Sequence, residues 1–227
     1  VKASGVEVQV GQCDLTDSRM YVKVHAPSVS ALAPELLAGY RSPYSGHTGA
    51  ENPTVFAGFV LTNSETGGGA YTLTPQLTVE ICGNGMTMTK DVFRRVHLGA
   101  KLDGGIVRPS EDTQRKNLEL ITAQARDTVA TFLDPEYLAA KLAELAELAG
   151  QALPGPASEV VETVTRGLLY TDAQRADVLD MFVEGGQLTV GGVMHAVTAA
   201  AQKQANADTA HAMEADALRS MELAAAA

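Results

Sequence analysis

The sequence contains no tryptophan, and aromatic residues make up only 5% of its 227 positions. Few side chains are therefore available to stack on a base or to fill a core with large rings. Cysteine is nearly absent as well. Cys13 and Cys82 stand far apart with no CxxC pair, which excludes a disulfide framework and a cysteine-based zinc site and makes a reducing cytoplasm the expected setting. No apolar run reaches the ~18–20 residues of a membrane-spanning helix, and no basic-then-apolar leader opens the chain, so no membrane partner is expected. The first residue is Val1 rather than Met, so an upstream segment is expected. With 45% hydrophobic and 19% charged residues, the composition excludes a disordered chain and suits one core, or one core with a helical appendage.

Reaction chemistry is equally sparse. The five histidines (His25, His47, His97, His195 and His211) form no His-x-x-x-His or Glu-x-x-His pair, so no metal is expected. Gly67-Gly68-Gly69 has no following Lys-Ser/Thr pair and reads as a hairpin tip rather than a phosphate loop. No serine sits in a strand–turn–helix frame, and no paired carboxylates mark a strand end. The expectation is a non-enzyme without a cofactor. The long Gly39–Pro53 stretch, which contains Tyr40, Arg41, Tyr44 and His47, is the one place a site could hide.

Charge is present but uneven. The net charge is −10, and residues 131–227 carry 14 acidic against 5 basic side chains, whereas residues 1–130 carry 13 against 12. Within the front part, residues 90–126 hold eight basic and five acidic side chains. An acidic chain is a poor generic binder of nucleic acid, but a local basic stretch can still line a groove. The same residues could equally form a solvated mixed face or pair with the acidic back half.

Periodicity divides the chain. Val6, Val8 and Val10 alternate with polar residues, and residues 20–24 continue as a strand that Pro27 is expected to stop. Residues 55–62 are an apolar run, followed by a polar glycine-rich turn. In the next run Tyr71, Leu73, Pro75, Leu77, Val79 and Ile81 occupy one face, with Thr72, Thr74, Gln76, Thr78 and Glu80 on the other. This predicts a hairpin over 55–82 whose second strand is half-buried, with Pro75 at an edge, a bulge or an outward-bonding position. Cys82-Gly83-Asn84-Gly85 reads as a sharp exit from the sheet, or as backbone N–H groups open to an anion. Residues 30–37 could form a short helix, and 87–96 a helical or turn segment.

From Ser110 the period becomes helical. Ser110 with Glu111 and Asp112 marks a start, and Leu118, Ile121, Ala125, Val129 and Phe132 form a stripe. Asp134-Pro135 begins a second helix carrying Leu138, Leu142, Leu145 and Leu148. Ser158 opens a third, and Thr171 with Gln174 has capping-box spacing for a fourth that Gly185-Gly186 stops. Residues 189–223 read as alanine-rich helix with a fraying end. The predicted class is α+β: a small antiparallel sheet with a β-hairpin packed on a long helix, then an α-helical C-terminal region. The expected organisation is a β-rich region over 1–109, a long helical segment over 110–150 packing on the sheet, and an α-helical region over 151–227.

Several stretches resemble the phage- and plasmid-associated family called domain of unknown function 932. They are Asp17-Ser18-Arg19-Met20-Tyr21-Val22, residues 61–68, the run 73–85 ending in Cys82-Gly83-Asn84-Gly85, Arg95-Val96-His97, and His195-Ala196-Val197-Thr198. The last has His where the family pattern has Asn. The resemblance implies a mobile-element protein of a bacterial cytoplasm and brings no reaction. By analogy of element order, strands followed by a long helix, the chain is also similar to ring-forming phage single-strand annealing proteins. On that analogy Lys90, Arg94, Arg95, His97, Lys101, Arg108, Arg115 and Lys116, with Tyr71 as the stacking residue, would line a groove for single-stranded nucleic acid in a homo-oligomer. The rival expectation is a structural or interaction protein that presents the stripes 138–148 and 193–200 to a partner or a second copy.

Overall fold

The structure, a computed structural model, describes residues 5–64, 66, 69–95 and 110–227. Among these residues it is an α+β protein with a six-stranded antiparallel sheet followed by seven α-helices. The strands are β1 (Gln9–Leu15), β2 (Met20–Leu32), β3 (Thr54–Asn63), β4 (Tyr71–Val79), β5 (Gly85–Thr87) and β6 (Phe93–Arg95). Their order is β1-β2-β3-β4-β5, and β6 pairs with β4 beyond the end of β5. The expected hairpin is β3–β4, in register from Val55↔Val79 to Thr62↔Thr72.

Pro75 sits in the gap between the two short edge strands, since β5 pairs with Gln76–Thr78 and β6 with Tyr71–Leu73. Its carbonyl accepts from Met88 N at 2.8 Å, and no ladder bond is lost for want of its N–H. Pro27 does not stop β2. The strand passes it at a register irregularity between Ala26 and Ser30 and continues to Leu32, so residues 30–32 are strand rather than helix, with turns following. Over the described part of 87–96, the expected helical or turn segment is confined to its middle. A single 3₁₀ turn (Thr89–Asp91) separates β5 from β6.

The helices are α1 (Glu111–Phe132), α2 (Pro135–Ala149), α3 (Ala157–Gly167), α4 (Asp172–Gly185), α5 (Val190–Gln202), α6 (Ala207–Ala215) and α7 (Ala217–Ala225). Ser110 caps α1 through Thr113 N, and Thr171 with Gln174 forms the full capping box on α4. Gly186 ends α4 at φ 68°, a left-handed cap that suits glycine. Only the C-terminal part of α1 is buried, through Val129 and Phe132 against the sheet, while Leu118 stays exposed. The alanine-rich segment breaks into three helices. Residues 190–201 of α5 are all buried, with α2, α4, α6 and α7 as neighbours, so small side chains are what lets other helices approach it from several sides. The chain end does not fray: Ser220, Met221 and Ala224 are buried. Leu138, Leu142 and Leu145, and the 193–200 stripe, belong to one continuous intrachain core.

Candidate functional site

Strand alternation gives the sheet two chemically different faces. On one, Val24, Ala26, Phe59, Leu73 and Leu77 join the core with α1 and α2. The other carries Tyr21, Lys23 and His25 on β2, Thr62, Val60, Gly58 and Phe56 on β3, and Thr72, Thr74, Gln76 and Thr78 on β4, so it is mostly polar with two apolar side chains among the hydroxyls. This second face is not left to solvent, as half-burial of β4 would predict: Thr74 and Gln76 are buried. Helix α6 lies over it. Tyr21 donates to Asp208 Oδ1 at 2.5 Å, Lys23 Nζ meets Glu214 Oε1 at 2.6 Å, and Gln76 Nε2 donates to Glu214 Oε2 at 3.2 Å. The rings of His211 and Tyr21 lie 4.7 Å apart.

Open space flanks α6 on both sides. One cavity, about 280 Å³, has Arg19 and Arg94 on its walls together with Thr62, Thr72 and Thr74 from the sheet and His211 from α6. The other, about 430 Å³, is lined by Lys23, His25, Gln76, Thr78, Gln202 and Glu214. Burial perturbs the titratable groups between them. Glu214 is pushed above the usual carboxylate range by desolvation, which Lys23 and Gln76 only partly offset. His211 is held down to about 4, first by burial and then by Lys23 and Arg19, and its Nδ1 has no hydrogen-bond partner among the described residues.

Among the described residues, the basic side chains expected to line one groove are divided between surfaces. Arg94 and Arg95 are consecutive strand residues, so the pleat sends them to opposite faces. Arg94, opposite Thr72, lines the 280 Å³ cavity and makes no ion pair among the described residues. Arg95, opposite Tyr71, donates to Gln124 of α1 on the core side, with its guanidinium 5.3 Å from the Phe93 ring centre. Tyr71 is therefore on the wrong face to stack beside Arg94. Lys90 pairs with Glu222 of α7 at 2.9 Å. On α1, Lys116 pairs with Asp112 at 2.7 Å, and Arg115 with Asp112 and Glu119. His97, Lys101 and Arg108 lie outside the described residues.

Two other candidates resolve into structure. Asn84 is fully buried. Its Nδ2 donates to Tyr40 Oη at 3.1 Å and to the His195 carbonyl at 3.4 Å, while Oδ1 accepts from Gln202. The sheet exit is thus a bolt between the sheet and α5, with Gly83 at φ 67°, rather than an anion cradle. In the Gly39–Pro53 loop, the ring of exposed His47 lies 3.6 Å from Glu51. No group of three His, Cys, Asp or Glu side chains among the described residues is placed to hold a metal. No helix among them is long and apolar enough to cross a membrane.

The residues the sequence reading missed are Arg19, Tyr21, Lys23 and His211. Arg19 and Tyr21 belong to the strand motif that carries the family resemblance, and Tyr21 and Lys23 alternate with valines, which is the signal that could have placed them on a shared polar face. Comparison with protein-family models, curated proteins and solved structures gives no match to this chain.

Proposed function

We propose that the protein is a phage- or plasmid-type nucleic-acid-binding protein that acts as an oligomer on single strands, in annealing or recombination. The observation that carries this reading is the pair Arg19 and Arg94, brought from opposite ends of the sheet sequence to one cavity lined by threonine hydroxyls. Guanidinium groups beside hydroxyl donors are the chemistry of phosphodiester recognition. Neither Arg94 nor Arg95, both exposed on β6, meets a carboxylate among the described residues, but Arg95 is turned to the core side and held by Gln124, whereas Arg94 faces the cavity; Lys90, Arg115 and Lys116 are already paired. The interaction-protein alternative loses its sequence support, because both apolar stripes are intrachain core.

The test is fluorescence anisotropy of a labelled single-stranded oligonucleotide over a salt series. Affinity should fall as salt rises, and Arg94→Ala should weaken binding about tenfold and reduce the salt slope by about 1, the mark of one lost phosphate contact. Arg115→Ala should leave both nearly unchanged. An Arg94→Ala variant with an unaltered slope overturns the reading, and so does absence of binding at low salt that persists when Asp208 and Glu214 are replaced by their amides. The size of the protein–strand complex in the same samples reports the oligomer.

A further inference from the structure

We infer that the polar sheet face beneath α6 is the binding platform for a single nucleic-acid strand, and that α6 is an acidic cover which holds the strand's place. This rests on the nucleic-acid reading above and goes beyond it by assigning the bound surface and what controls it. The covered face collects Arg19, Tyr21, Lys23, His25 and Arg94 in one patch of cations and rings, interleaved with threonine hydroxyls. Cations that track phosphates, with rings that stack on bases, are what a single strand needs.

Helix α6 reaches that face with carboxylates. Asp208 takes the Tyr21 hydroxyl and acts electrostatically on Arg19, and Glu214 takes Lys23 and Gln76. Carboxylate and phosphate oxygens accept from the same donors, so the helix presents to the sheet what a phosphodiester would present. Its anchorage is lighter than that of α5, since apart from exposed Ala212 most of its residues are half-buried. Met213 and Glu214 are its buried residues, against twelve in α5. At nine residues it is too short to persist as a helix without its packing, and a buried ion pair contributes little net stability once desolvation is counted. The two cavities abut it on either side. Tyr21 lines one and Lys23, two residues along the same strand face, lines the other. Lifting α6 would join them into one trough across the sheet.

The test compares wild type with Asp208→Asn/Glu214→Gln in the same anisotropy titration, with far-UV circular dichroism confirming the fold. The double variant should bind the oligonucleotide at least tenfold more tightly at equal salt. Glu214→Gln leaves Lys23 without its buried partner and could unfold the chain, so amide hydrogen exchange on the wild type is measured alongside. Residues 207–215 should lose protection when the strand binds. Wild-type binding that depends on Arg94, with an equally tight double variant and α6 protection unchanged, overturns the cover and leaves the nucleic-acid reading standing. A folded double variant that fails to bind, as the wild type fails, overturns both. A double variant that binds where wild type does not supports the cover directly.

Discussion

His195 should make this protein sensitive to mild acid in a way that one substitution removes. The side chain is fully buried in α5, its ring stacked 4.3 Å from Tyr40. Nε2 lies 3.2 Å from the Leu36 carbonyl and so carries the proton, while Nδ1 has no partner among the described residues. Burial pushes the imidazole down to about 4, the Leu36 bond opposing it only in part. In the unfolded chain a histidine takes up its proton near pH 6.5. Stability present above 6.5 is therefore lost as pH falls towards 4, because over that window the unfolded state binds a proton the folded state refuses. At about pH 4.5 the loss amounts to roughly 2.5 kcal/mol for His195, and His211, also held down to about 4, adds a similar amount. Replacing His195 by Leu, of nearly equal volume, removes one of the two contributions. The Leu36 carbonyl keeps its bond from Gln187 Nε2 at 3.1 Å, so little is left unsatisfied. The variant should lie within about 1–2 kcal/mol of wild type at pH 7.5, the lost ring stack being the main cost. Urea unfolding at both pH values tests this. The pH-dependent loss should fall by about half in His195→Leu, and the stability curves should converge or cross below about pH 5. If the variant loses as much stability between the two pH values as wild type, the buried neutral imidazole is not the cause.

Asn84→Ala should destabilise the protein by about 2–4 kcal/mol, because it removes two buried hydrogen bonds and a partly buried one and leaves the His195 carbonyl and Gln202 amide without that partner, the Tyr40 hydroxyl keeping its bond to Cys82. Thermal unfolding followed by circular dichroism reads it, and a loss below about 1 kcal/mol would mean that water replaces the amide. Gly192→Ala sets helix propensity against packing. Alanine is favoured by about 1 kcal/mol inside a helix, yet its Cβ would fall 1.9 Å from the Gln187 carbonyl oxygen. Packing should win, with a loss of several kcal/mol or failure to fold, seen in expression and Tm; a gain in Tm would show that the Gln187 backbone yields freely.

Much of the fold was legible because its signals are local. The alternation over 71–81 places β4, the Thr171–Gln174 spacing places the start of α4, and Gly185-Gly186 its end. Each is set by dihedral preference or a bond within four residues. What failed depended on tertiary context. Pro27 looked like a stop, yet the strand accommodates it at an irregularity in its pairing with β3. Residues 30–37 have no pattern strong enough to compete with that pairing. The alanine-rich tail looked like one frayed helix, but Ala224 and Met221 are buried against the rest of the chain, which propensity cannot foresee.

The site was hidden for a related reason. Neighbouring basic residues in sequence suggest a patch, but at period two Arg94 and Arg95 belong to different surfaces, and Arg94 finds its companion in Arg19, across β2, β3 and β4. The lopsided charge of the chain misleads in the same way. The front half is nearly neutral and the back half carries most of the −10, yet the halves meet through their charges: Lys23 with Glu214, Lys90 with Glu222 and, in the reverse sense, Asp91 with Lys141. Part of the acidic excess is the internal complement of the basic strands. Net charge still sets long-range repulsion towards an anionic ligand. On the proposed reading, binding at short range rests instead on the cations left without a carboxylate at the surface; among the described basic residues of β6 and the start of α1 these are Arg94 and Arg95, and Arg94 is the one that faces the cavity beside α6.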